Sequence, residues 1–455
     1  MSLVAERLSL PVVTEPAKEG RVAVRLPHID PLASTAWALM ANTVVTSVLG
    51  MAFWAGASRF YSAGELGESA ALISAMMLLS VVSQLNLAMG ISRLLPQVRR
   101  ERWRPVTAAY GVSAGVGLLV TAAFAVLAPR VSSSFDFLGR DALLAVALVV
   151  AVVLWNVFAL QDAVLTAARW AAAVPVENGL FGLLKIGLMV ALAHSFGGLG
   201  IFWAWVLAMA IMLVPVNGLI FGKVLPGAGG SPGRRGEETT VLPLHDRARV
   251  TRYLAVDYAA ALLNQGYTAL LPLLVVAVLG GDANAYFYIA FVIAGAVRAV
   301  AQSMSTSLVV EGAHHESRLA SLARLSVVRY VKYALPATAV LVVGAPLLLL
   351  PFGPAYVDRG TTLLRLLLVA TVPQAATALY LGVERVRARV SRVLAVEAAI
   401  VVLVTVGAMA GMHGYGLNGV GVAWLAAQSA VAAVAVPALA RALRVPVPVP
   451  ETVDR

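Results

Sequence analysis

Twelve stretches of about 20 largely apolar residues, the length a helix needs to cross a bilayer, run through this 455-residue chain. They cover roughly 33–57, 68–92, 106–128, 142–166, 176–194, 199–221, 252–278, 284–308, 327–351, 361–382, 391–412 and 416–440. The thinnest separations are Gly197 to Gly200 and His413 to Gly416. The chain is 60% hydrophobic and 13% charged, against about 25% charged in a typical soluble domain. That leaves too little polar side chain to cover a water-facing surface of this size, so lipid must be the solvent for much of it. The pattern predicts an all-α membrane protein of about twelve transmembrane helices. Residues 1–32 carry Pro11, Pro16, Pro27 and Pro31, and no short apolar run follows Met1. They read as a cytoplasmic tail without a cleavable signal peptide.

A net charge of +11 would suggest nucleic acid in a soluble protein. Here it is better explained by orientation, because cytoplasmic loops collect Lys and Arg. With the N-terminus inside, only Arg59, Arg130, Arg140 and Arg359 of the 34 basic residues fall in outer loops, and Lys185, Arg298 and Arg365 fall within spans. The remainder lie on the inner side. This asymmetry alternates with every helix, so it supports the helix count as well as cytoplasmic N- and C-termini. Nucleic acid is not an expected partner; the bilayer is.

The largest break, Gly227-Ala-Gly-Gly-Ser-Pro-Gly233 followed by Arg234 and Arg235, reads as a flexible linker. It divides the chain into a tail (1–32), a six-helix bundle (33–221), a cytoplasmic linker (222–251), a second six-helix bundle (252–440) and a tail (441–455). The halves resemble each other. The run from His194 to Trp205 shares its His, outer glycines, Ala and Trp with the run from His413 to Trp424, and Gly64-Glu65 parallels Gly281-Asp282. Copies of a six-helix unit keep the same orientation, which implies a parallel pseudo-twofold repeat about an axis normal to the membrane.

Enzyme signatures are missing. There is no phosphate loop, no His-Glu-x-x-His and no Gly-x-Ser-x-Gly elbow. The absence of Cys excludes disulfides and thiolate sites. No cofactor, metal or catalytic residue is expected. The informative residues are polar groups inside spans, because a charge at mid-bilayer costs roughly 2.5–3.5 kcal/mol and usually faces a wet cavity or a partner. Arg298 and Gln302 share a face of the eighth segment. Asp257, Asn264 and Thr268 share a stripe of the seventh with Gln265 beside it, Asn42 lies in the first, Gln84 and Asn86 in the second, and Lys185 in the fifth. The first, second, seventh and eighth segments, equivalent between halves, are therefore the expected cavity lining. Several residues have a structural reading beside the functional one. Arg298 could pair with Asp257, and Lys185 with an acid on a neighbouring helix. Arg169 could neutralise Asp162 and Glu177, and Arg392 could neutralise Glu397. The amides could be interhelical glue, and Gly111 with Gly115 reads as close helix packing.

Four short runs resemble one family. Arg59-Phe-Tyr-Ser-Ala-Gly-Glu-Leu-Gly67, Asn86-Leu-Ala-Met-Gly-Ile-Ser-Arg-Leu-Leu-Pro96, Phe352-Gly-Pro-Ala-Tyr356 with Leu363-Leu-Arg-Leu-Leu367, and Tyr415-Gly-Leu-Asn-Gly-Val-Gly421 are similar, in order and spacing, to the polysaccharide-lipid (Wzx-type) flippases of the MOP exporter superfamily. The resemblance implies two bundles rocking around a central cavity in the cytoplasmic membrane. The cargo it implies is an undecaprenyl-pyrophosphate-linked oligosaccharide for cell-surface polysaccharide, with a polymerase and glycosyltransferases as partners. Arg298, Lys185, Arg59 and Arg93 are then candidate pyrophosphate contacts. The alternatives are a multidrug/toxin cation antiporter of the same superfamily, which needs an acidic cavity, and a non-transporting scaffold of a polysaccharide synthesis complex.

Overall fold

A computed structural model describes residues 31–98, 100–131, 139, 141–193, 197–227, 244–314, 319–387 and 389–444. The expected tails and most of the Gly-rich linker lie outside them, as does His194. The described chain is helical. The principal helices are α1 (Pro31–Phe60), α2 (Ala63–Ser83), α3 (Leu87–Leu94), α4 (Trp103–Val131), α5 (Ala142–Ala167), α6 (Ala173–Leu192) and α7 (Gly200–Leu219). They continue as α8 (Leu244–Leu279), α9 (Gly281–His314), α10 (Leu319–Arg329), α11 (Leu335–Val343), α12 (Ala345–Leu349), α13 (Pro354–Val386) and α14 (Val390–Arg444).

Local chemistry sets several of these boundaries. Ser62 and Glu65 form a reciprocal capping box that starts α2, with Ser62 N donating to Glu65 Oε2 at 2.8 Å. Asp141 caps α5 by accepting from the amides of Leu143 and Leu144. Among the described residues, ten helices are long and apolar enough to cross a membrane, where the sequence pattern predicts twelve. Two particulars separate these numbers. The eleventh and twelfth expected segments run together as α14, across a kink at Gly416 (φ 56, ψ −136) that only glycine adopts readily. The other is α1, 30 residues long and carrying Asn42, Thr43, Thr46 and Ser47, which is outside the ten.

The second expected segment is broken. Leu85 (φ 48) and Asn86 (φ 58) are both left-handed and separate α2 from α3. Consecutive non-glycine residues in this region persist only when their surroundings hold them. One such hold is Tyr258 on α8, whose hydroxyl lies 3.0 Å from the Val82 carbonyl oxygen and 3.3 Å from that of Val81, near the interrupted end of α2. The ninth expected segment is also interrupted, by a π-turn at Tyr330–Ala334 and a bend at Gly344 between α11 and α12.

The two halves of the chain meet chiefly where α2 packs on α8 and α9. At one end the α1–α2 turn presses on the α8–α9 turn, the same two turns that parallel each other in sequence. Asn284 Nδ2 donates to the Gly67 carbonyl at 2.7 Å. A Cβ on Gly67 would collide with the Gly281 carbonyl, and one on Gly64 would approach Asp282 Oδ1 to 2.9 Å. The rings of Trp54 and Tyr288 stand 4.7 Å apart, and Arg59 Nε donates to the Pro351 carbonyl at 3.1 Å. These contacts seal this end of the molecule. The expected close packing at Gly111 and Gly115 is not found, since a Cβ on either would meet nothing within 4 Å. Gly67→Val should therefore destabilise the protein by about 1–3 kcal/mol through overpacking, read as a lower thermal unfolding midpoint in detergent, while Gly111→Val leaves the midpoint unchanged.

Candidate functional site

A cavity of about 880 Å³ opens away from the sealed end. Thr43 of α1 forms one side. Asn264, Gln265 and Thr268 of α8 and Arg298, Gln302 and Thr306 of α9 form another. Spacings of four residues put Asn264 with Thr268, and Arg298 with Gln302 and Thr306, on single helix faces. The helices α13 and α14 complete the wall with Gln374, Thr377, Arg385, Glu397 and Gln428. A smaller cavity of about 200 Å³ extends between the halves, where Ser74, Met77 and Val81 of α2 face Gln265, Thr268 and Arg298. An apolar groove of about 610 Å³ between α13 and α14, lined by residues such as Val369, Pro373, Leu425 and Pro437, offers no charged or amide side chain.

Arg298 stands at the junction of the two polar cavities. Its guanidinium lies 5.2 Å from the Phe291 ring centre and 5.9 Å from that of Trp424, close enough for the ring faces to support the charge. Among the described residues it forms no ion pair, which leaves its donors free for the cavity. Glu397 is 1% exposed. Asn264 Nδ2 donates to Glu397 Oε2 at 2.9 Å, and Arg385 lies 3.7 Å from the other oxygen. The expected partner Arg392 instead stands 3.5 Å from Glu384, which Arg389 also approaches at 3.7 Å. Tyr267 sits among Arg298, Glu397, Gln374 and Gln428.

The sequence-derived candidates divide. Arg298, Asn264, Gln265 and Gln302 come together at the cavity. Lys185 does not. It is 6% exposed in the core of the N-terminal half, with Nζ 3.9 Å from the Trp205 ring centre, 4.6 Å from Phe53 and 5.1 Å from Phe181. The expected acid partner is replaced by three aromatic faces, because its side of α6 packs on α1 and α7. Gln84 Nε2 donates to Ser80 Oγ at 2.8 Å, and Ser80 in turn bonds Asn156, which reaches Ser83 and the Ser113 carbonyl. Gln84 thus belongs to a network inside the N-terminal half. Asn86 serves as the left-handed pivot. Asn42 is half-buried beside Thr43, with its side-chain oxygen unpartnered. Arg59 belongs to the seal. The side chains of Asp257 and Arg93 lie outside the described ones.

Sequence reasoning missed Gln374, Thr377, Arg385 and Gln428 as lining residues, and read Glu397 only as a paired acid. The mid-span amides Gln374 and Gln428 were visible as a signal, but the expectation that equivalent helices line a symmetric pathway drew attention to the first, second, seventh and eighth segments. The cavity is asymmetric, built mostly by the C-terminal half.

No protein-family model matches the sequence, and no curated relative does. Solved structures do match in fold. A MATE multidrug transporter, DinF-BH, solved as a complex, superposes with a TM-score of 0.63 at 16% identity, covering 93% of this chain and 98% of that one. The inward-facing conformation of a multidrug resistance MATE family transporter of the MOP superfamily gives 0.59 at 16% identity, covering 88% and 98%. The outward-facing conformation of such a transporter gives 0.57 at 16% identity, covering 94% and 99%. The helical arrangement around the cavity is therefore the fold of the MATE transporters of the MOP superfamily.

Proposed function

We propose that this chain is a flippase that carries an anionic, glycan-bearing lipid, a polyprenyl-pyrophosphate-linked oligosaccharide, across the cytoplasmic membrane by alternating access. In this reading twelve spans form two like-oriented bundles, 33–221 and 252–440, with both termini cytoplasmic. The observation that carries it is the make-up of the cavity wall. Among the described residues Arg298 and Arg385 are its cations, Glu397 is its acid, and the other polar lining groups are amides and hydroxyls. Glu397 is already engaged by Arg385 and Asn264, so the group with free charge is Arg298. A planar guanidinium suits a pyrophosphate, and neutral amides and hydroxyls suit sugar hydroxyls. The seal at Gly67 and Gly281 is the outer gate of the state described, and the cavity faces the cytoplasmic leaflet where such a lipid is assembled.

The multidrug reading has one observation in its favour, that the matched structures are described as multidrug transporters. An exporter of organic cations needs unpaired acid in its cavity, and among the described residues the one acid on this wall, Glu397, is paired. A non-transporting scaffold has no use for a polar cavity, whose amides cost insertion energy in lipid.

Arg298→Ala should strongly reduce surface polysaccharide while the protein persists in the membrane at its normal level. The lost charge-assisted contact is worth about 1.5–3 kcal/mol, roughly tenfold or more in transport. Normal export in that variant would remove Arg298 from the mechanism. The orientation is testable separately, because the native chain has no cysteine. A cysteine placed at Arg59 should react with an impermeant maleimide added to intact cells, and one at Arg387 should react only after permeabilisation.

A further inference from the structure

The break between α2 and α3 is not written in the residues that make it. Ser83-Gln-Leu-Asn-Leu87 holds no glycine or proline, and Gln and Leu are good helix formers. By its sequence a single helix could run from Ala63 to Leu94. Instead Leu85 (φ 48) and Asn86 (φ 58) take left-handed backbone, which a Cβ disfavours at each. Part of the hold is local to the N-terminal half. There α3 packs on α5 and α4, and Gln84 Nε2 donates to Ser80 Oγ beside the break.

The rest comes from the other half. In a continuous helix the carbonyls of Val81 and Val82 would accept from the amides of Leu85 and Asn86. Among the described residues neither amide donates to a backbone carbonyl, while Gln84 N still donates to the Ser80 carbonyl at 2.9 Å and Leu87 N to that of Gln84 at 2.8 Å. The two released carbonyls meet the Tyr258 hydroxyl of α8, 3.0 Å from Val82 and 3.3 Å from Val81, whose one proton they share. A joined helix would take both carbonyls back for its own amides. The acceptors that Tyr258 uses therefore exist only while α2 is broken, and the two hydrogen-bond arrangements exclude each other. The place of this contact matters for the cavity. Val81 lines the small cavity that Arg298 enters, and so does Gln265, about two turns from Tyr258 on the same face of α8. α2 is thus fastened to the other half at Gly67 and at Val82, with that cavity between the fastenings. We propose that Tyr258 is a latch between the halves that closes only on a broken α2, and that its release joins α2 to α3 and frees the α2 wall of the small cavity. The latch does not depend on the identity of the cargo.

The test is hydrogen–deuterium exchange of the full chain in detergent, resolved to single amides over residues 81–90 and read as protection factors. Tyr258→Phe keeps the ring and removes the donor. Exchange at Leu85 and Asn86 should slow in this variant, because their amides regain helical acceptors. The ratio of joined to broken helix should rise about fivefold for one hydrogen bond of ordinary strength. A hydroxyl that only braces the structure would leave those amides unchanged or faster on its removal, and either result overturns the latch. Leu85→Gly added to Tyr258→Phe approaches the same point from the other side. Glycine accepts left-handed backbone and weakens a helix, so the double variant should return to wild-type protection. Slow exchange that persists there overturns the coupling. If Tyr258→Phe fails to accumulate, Asn86→Ala decides, since Ala penalises left-handed backbone and favours helix. It should slow exchange at Leu85 in the same way, and no slowing overturns the latch.

Discussion

A charge placed in hydrocarbon must be partnered, hydrated or neutralised, and most of this molecule's distinctive chemistry follows from the ways its charges meet that demand. Arg298 rests against Phe291 and Trp424 and turns to a polar cavity. Lys185 has no cavity and is enclosed by Phe53, Phe181 and Trp205. Glu397 is held by Arg385 and Asn264. Asp162 accepts from Asn178, and Glu177, 4% exposed, has no hydrogen-bond partner. Where a charge is satisfied internally it supports the fold, and where its donors stay free, as at Arg298, it faces the polar cavity.

Residues that parallel each other between the halves in sequence can be followed into these arrangements. Trp205 and Trp424 occupy equivalent places in the parallel His-to-Trp runs, and each receives a basic side chain on its ring. Both rings are buried, but the cation on Trp205 is enclosed, while Arg298 on Trp424 lines the polar cavity. Equivalent turns also meet, with Asn284 donating to Gly67 and Gly281 pressed on Gly67. The glycines at this contact let backbones approach where side chains would hold the halves apart. Contact at one end and a cavity toward the other is the asymmetry that the proposed alternating access requires.

Much of the fold could be read directly, because apolar runs of membrane length need no tertiary information. The interruptions could not. Leu85 and Asn86 carry no glycine or proline signal, and their left-handed geometry is supported by surroundings that include Tyr258, about 170 residues away. Half of the candidate site was legible for a related reason. Four-residue spacing places Asn264, Arg298 and Gln302 on shared faces, but spacing alone does not say which neighbour a face meets. Lys185 shows the consequence, since nothing in its own segment reveals the aromatic residues that Phe53 and Trp205 bring from other helices. The contributions of Gln374, Glu397 and Gln428 were hidden by the assumption that a repeated fold lines its pathway symmetrically.

In the proposed function, a wall whose free charge is Arg298 selects an anionic lipid-linked glycan over an organic cation. Native mass spectrometry of the purified protein, offered an undecaprenyl-pyrophosphate oligosaccharide together with a lipophilic cation, measures that preference directly. Retention of the anionic lipid is expected, with retention lost in Arg298→Ala. Retention of the cation instead, undiminished or strengthened when Arg298 is removed, would contradict it.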